Sequence, residues 1–154
     1  MSILYVIGRV AFVLIFILSG ARKLMDIPGT AEAIGGKVVL PDLLLTYTPQ
    51  LEAATGMTTP TMLAILVGVV EVGAALLIAV NLWARFGAVL LIIFTVATTY
   101  YFHPFWAMFD AEREANMIHA MKNLSLIGGL VIIFVLGPWR PGVAEQYEDE
   151  PRLP

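Results

Sequence analysis

Cysteine is absent from the 154-residue chain. Its absence excludes disulfides, thiol redox couples, Cys-ligated iron–sulfur clusters and Cys-zinc sites. Charge is also scarce. Asp, Glu, Lys and Arg make up 14% of residues, too few to clothe a soluble domain of this size. The net charge is −3, and no Lys/Arg-rich patch marks a nucleic-acid partner. Histidine occurs only at His103 and His119. No nucleophile triad, phosphate-binding glycine loop or zinc spacing is present. The first apolar stretch has no basic segment ahead of it and no small-residue cleavage site after it. It therefore reads as a retained first span rather than a removed signal peptide.

What the chain has in quantity is apolar surface. Hydrophobic residues make up 59% of it, and the mean hydropathy of +0.85 points to an integral membrane protein. Segments long enough to cross a hydrocarbon core of roughly 30 Å run over about 3–24, 61–80, 85–102 and 116–136. Gly137, Pro138, Trp139 and Pro141 close the last one, because this run cannot continue a helix. The expected fold is an all-α, integral-membrane four-helix bundle occupying 1–140, followed by a polar acidic tail over 141–154.

Between the first two spans, Pro28-Gly29-Thr30 followed by AEAIGG predicts a short helix with proline near its first turn. PDLLLTYTPQLEAA, from Pro41, is apolar enough to lie at the membrane interface, with Pro49 interrupting it. An even number of spans puts both termini on one side. That side holds Arg9, Arg85, Arg140 and Arg152, against Arg22, Lys23, Lys37, Arg113 and Lys122 on the other. Under the positive-inside rule, a split this even does not set the orientation. The acidic connections suit the outside, which favours cytoplasmic termini.

Glu71 stands in the middle of the apolar run MLAILVGVVEVGAALLIAV. A carboxylate at that depth must face the bundle interior and find a partner. At a rise of ~1.5 Å per residue along straight spans, Glu71 lies ~16 Å, Arg9 ~9 Å and Lys122 ~20 Å from the termini side. Thr95, Thr98 and Asn123 fall at similar levels. The expected arrangement is a mid-bundle polar layer joining Glu71 to Lys122 or Arg9. Ala64, Gly68, Glu71 and Ala75 share one stripe, and small residues there admit a second helix closely. Two readings stand beside each other: an ion pair that fixes helix register, and a site for an anionic or quinone-like head group.

His103 and His119 project to the same end of the bundle, where two histidines on facing helices can ligate a haem iron. The alternative is a membrane-boundary role, since His103, Phe105 and Trp106 sit in the amphipathic-ring run YYFHPFW. Asp110, Glu112 and Glu114 read as a solvated acidic connection rather than a metal site.

These blocks together resemble the DoxX family of small four-span bacterial membrane proteins. The resemblance rests on GRVAFVLIFILSGARKL (Gly8 to Leu24), PGTAEAIGG (Pro28 to Gly36) and VGVVEVGAALLIAVNLWARFGAVLL (Val67 to Leu91). YFHPFW (Tyr101 to Trp106) and MKNLSLIGGL (Met121 to Leu130) complete it. Arg9, Gly20, Lys23, Glu71, Gly73, Arg85, His103, Phe105, Trp106, Lys122, Asn123 and Gly129 match the family pattern. TPQLEAATGMTTPT (Thr48 to Thr61) is longer than the pattern expects.

The resemblance implies a bacterial cytoplasmic (inner) membrane location, in contact with lipid and with other membrane subunits. It also implies a place in a redox or respiratory electron-transfer assembly, either as an accessory, non-catalytic subunit or as a quinone-binding oxidoreductase subunit. A small transporter or lipid-binding bundle is the remaining alternative. Thiol chemistry used by related four-span folds is closed to a chain without cysteine, so a redox role needs a bound cofactor, quinone or neighbouring subunit.

Overall fold

A computed structural model describes residues 3–137, and among these every regular element is helical. The long helices are α1 (Ile3–Met25), α5 (Thr59–Ala79), α6 (Ala84–Phe102) and α7 (Asp110–Leu136). Each is long and apolar enough to cross a membrane. Between α1 and α5 lie α2 (Ile27–Gly35), α3 (Asp42–Leu45) and α4 (Thr48–Thr55). A 3₁₀ turn, Phe105–Ala107, links α6 to α7. The expected acidic tail, and the prolines expected to close the fourth span, lie outside the described residues.

The helices pack in chain order, α1 on α5, α5 on α6 and α6 on α7, and α2 lies against α5. Val13 and Phe16 of α1 meet Ala74, Ala75 and Ile78 of α5, Ala88 and Leu91 of α6 and Leu130 of α7 in one core. A second cluster joins Ala31 and Ile34 of α2 to Ala64 of α5.

The small-residue stripe does what its spacing predicts, and α1 is the helix it admits. A Cβ on Gly20 would lie 2.7 Å from the Val72 side chain and 3.0 Å from the Gly68 carbonyl. A Cβ on Gly68 would meet the Leu24 side chain at 2.7 Å. Only glycine lets the two backbones approach this closely.

That contact also fixes register. Gly20 lies level with Gly68–Val72, and Arg9 lies level with Asn81 at the α5–α6 turn. Compared with spans that begin and end together, α1 is displaced by about 10 Å toward the termini side.

Two boundaries differ from expectation. Pro49 opens α4 instead of breaking a longer helix, and the break falls before it, around Tyr47. Proline is well tolerated in a helix's first turn, where its missing N–H has no partner to lose. α7 starts at Asp110, well before Asn116, because helix continues beyond the apolar stretch into the polar segment. Asp110 and Glu112 in its first turn complement the helix dipole. The long Thr48–Thr61 segment forms α4 and the first turn of α5, tied together by Glu52. Its Oε1 accepts from both the backbone N–H and the hydroxyl of Thr59, each at 2.7 Å.

Candidate functional site

Glu71 pairs with Lys23. Lys23 Nζ lies 2.7 Å from Glu71 Oε2, with Glu71 2% exposed and Lys23 27% exposed. Lys23 also donates to Ser19 Oγ at 2.6 Å and stands 5.3 Å from the centre of the Phe94 ring. The expected partners, Arg9 and Lys122, are both elsewhere.

Arg9 is buried near the termini side, where it donates from Nη1 to Asn81 Oδ1 and stacks over the Tyr5 ring at 5.4 Å. Its Nε and Nη2 are buried without a hydrogen-bond partner among the described residues. Lys122 is exposed on α7. The displacement of α1 explains the correction. It carries Lys23 inward from the membrane edge to the level of Glu71 and draws Arg9 outward to the turn. The seven-residue spacing that puts Arg9, Phe16 and Lys23 on one face of α1 gives the side Lys23 faces but not its depth.

The rest of the expected layer is divided. Thr95 is buried, but its hydroxyl is spent on the Leu91 carbonyl at 2.6 Å. Asn123 Nδ2 donates to Thr99 Oγ1 at 2.9 Å, joining α7 to α6 one turn from Thr95. Thr98 is half-buried and faces the cavities described below.

The two histidines do come together, with ring centroids 4.8 Å apart and planes 16° from parallel. Face-to-face stacking differs from axial haem ligation, in which two ring nitrogens point at one iron from opposite sides. His103 Nδ1 instead contacts Asn116 Oδ1 at 3.0 Å. Phe105 and Trp106 lie in the 3₁₀ turn with their rings edge to face at 5.3 Å. Trp106 also packs near Tyr100 and stays largely exposed, as an interfacial ring does.

Sequence reasoning missed a half-open cavity of about 630 Å³ between the end of α1, α2, α5 and α6. Its walls are mainly apolar, with Ile34 from α2, Leu63 and Val67 from α5, and Phe94 from α6. Lys23, Thr98 and His103 supply the polar contacts that matter at its inner end. These three and Phe94 also line a smaller cavity of about 190 Å³, which reaches Glu71, Thr95 and Asn123. Lys23 therefore faces both cavities, whereas Glu71 lines only the smaller one. Val38 and Leu40 of the α2–α3 connection reach the large chamber, and Tyr101 Oη anchors that connection by donating to the Val39 carbonyl at 3.2 Å.

A family model described as DoxX matches residues 4–104. The chain belongs to the DoxX family. Inner membrane protein YphA of Escherichia coli (strain K12) is 34% identical to it over 136 residues, covering 88% of this chain and 84% of that protein. No solved structure matches the chain. With four candidate spans and this relative, this DoxX-family chain is a multi-pass protein of the bacterial inner membrane. The matched region contains Lys23, Glu71, Thr98 and His103, while Asn116, His119 and Asn123 of α7 lie beyond it.

Proposed function

We propose that this DoxX-family protein is a subunit of a membrane redox assembly and that its large cavity binds a quinone-type molecule. The observation that carries this reading is the position of Lys23 and Glu71. Lys23 lines an apolar chamber whose volume lies within the range of roughly 300–1,000 Å³ usual for small-molecule sites, and Glu71, bonded to it, lines the smaller cavity alongside. A quinone needs both parts: apolar walls for an isoprenoid tail, and a few placed polar groups for the ring.

Lys23 has three N–H donors, and two are engaged by Ser19 and Glu71. The third can donate to a ring carbonyl oxygen. Glu71, held against Lys23, is placed to relay protons toward the ring oxygen through that ammonium's hydrogen bonds as electrons reduce the ring. Phe94 gives the ring an aromatic wall. Electrons would come from a neighbouring subunit or soluble donor, since a chain without cysteine has no thiol couple of its own. The exposed face of α7, which carries Lys122 among exposed apolar residues such as Ile118, Met121 and Leu124, suits contact with such a neighbour.

A photoreactive azido-quinone tests the reading. Crosslinks should fall on peptides of α2 and α6 that line the chamber, and decylubiquinone should compete them away. Labelling spread over the outer faces of all four long helices would contradict it. In membranes where quinone-dependent turnover is measured, Glu71→Gln should abolish turnover while the protein still inserts, and unchanged turnover would remove Glu71 from the chemistry.

A further inference from the structure

His103 lines both cavities, beside Lys23 and Thr98. Its hydrogen-bonding state can be worked out from its neighbours. Asn116 Nδ2 donates to the Glu112 carbonyl at 3.0 Å. A backbone carbonyl only accepts, so the amide nitrogen of Asn116 must face it. The amide oxygen is then the atom 3.0 Å from His103 Nδ1. That oxygen also only accepts, so the imidazole proton resides on Nδ1. Neutral His103 is left with an unprotonated Nε2, which is an acceptor.

The inner end of the chamber therefore offers unlike groups. Lys23 has a donor to spare, and the lining residue His103, with Nδ1 taken by Asn116, has Nε2 left as its acceptor. A ring dione carries only acceptors and leaves the histidine nitrogen unmatched. A ring bearing a hydroxyl matches both. We infer that His103 is a specificity-determining contact that makes the cavity prefer the hydroxyl-bearing, reduced ring (a quinol) over the dione. Asn116 is the positioning residue that holds the required tautomer. This inference rests on the cavity reading above and adds to it the redox form of the ligand. One additional matched hydrogen bond corresponds to a preference of about five- to tenfold.

The test uses full-length protein in detergent micelles with ¹⁵N-labelled histidine, held at about pH 8, above the ordinary histidine range. His119→Gln assigns the His103 signals. In the free protein, His103 should show a protonated Nδ1 and a bare Nε2. Titration with decylubiquinol should shift the Nε2 signal, and the quinol should bind about five- to tenfold tighter than decylubiquinone. In His103→Phe the two forms should bind alike. Asn116→Leu keeps the imidazole but frees its tautomer, so it should lower the preference, and it carries the test if His103→Phe does not accumulate. A protonated Nε2 in the free protein overturns the inference while leaving the cavity reading intact. So does a quinol preference that survives both substitutions. If neither form binds, the cavity reading fails and the inference fails with it.

Discussion

At the scale of single residues, the Lys23–Glu71 pair is asymmetric, and the asymmetry is measurable. Glu71 is nearly sealed, whereas Lys23 keeps partial access outward and a long, flexible stem. Removing the lysine strands a carboxylate in the bundle, whereas removing the acid leaves an ammonium that can turn toward water. Lys23→Met should therefore lower stability by roughly 3–5 kcal/mol, the usual result of breaking a buried pair. Glu71→Gln should cost roughly 1–2 kcal/mol, nearer the value of one hydrogen bond to a charged group. The double replacement Lys23→Met with Glu71→Leu should recover much of the loss, because apolar groups can fill the space. Denaturant unfolding in a fixed detergent checks all three, and equal losses in the two single variants would contradict the asymmetry. Glu71 is legible in the sequence as a buried charge in need of a partner. Lys23 is not legible as that partner, because residue counting treats helix ends as level, and a helix displaced along its neighbour changes which charges meet.

At the scale of elements, the Gly20–Gly68 contact sets that displacement; the small-residue spacing announces the close approach but not the shift along the axis. Where the chain enters and leaves the membrane is harder to read. Hydropathy marks where a helix leaves lipid, not where its hydrogen bonding stops, so the polar first turns of α7 look like a connection. The Glu52–Thr59 tie is equally silent, being a contact between two short segments with no apolar period. It has a pH signature with a definite sign. The Thr59 N–H and hydroxyl hold the Glu52 carboxyl below the usual carboxylate range. A group whose pKa is depressed on folding contributes stability above its unfolded pKa, about 4.3 for glutamate, and loses it as pH falls through the folded value. The α4–α5 junction should thus be fully tied at neutral pH and should loosen only in acid below about pH 4. The protection of the Thr59 amide from hydrogen exchange, taken relative to its intrinsic rate at each pH, reports this, being lost below that pH and present above it. Glu52→Gln should remove most of the pH dependence, whereas protection at every pH would show that the tie is not the carboxylate's.

At the scale of the whole molecule, the four spans, their order and the membrane setting are legible because each span carries its own hydropathy signal. The cavity is not. It arises where α2 packs against α5 and leaves space beside α6, an arrangement that depends on the tertiary position of a short helix. The central claim is that this space holds a quinone-type molecule against Lys23. It is tested most directly by extracting the protein purified in mild detergent from its native membrane and quantifying bound quinone by mass spectrometry. The comparison is Ala97→Phe, which places a ring at a wall position of the chamber outside the smaller cavity that Glu71 lines. Near-stoichiometric quinone is expected in the native protein and its loss in Ala97→Phe, with helical content and particle size unchanged. No quinone in the native protein, or equal amounts in both, would contradict it.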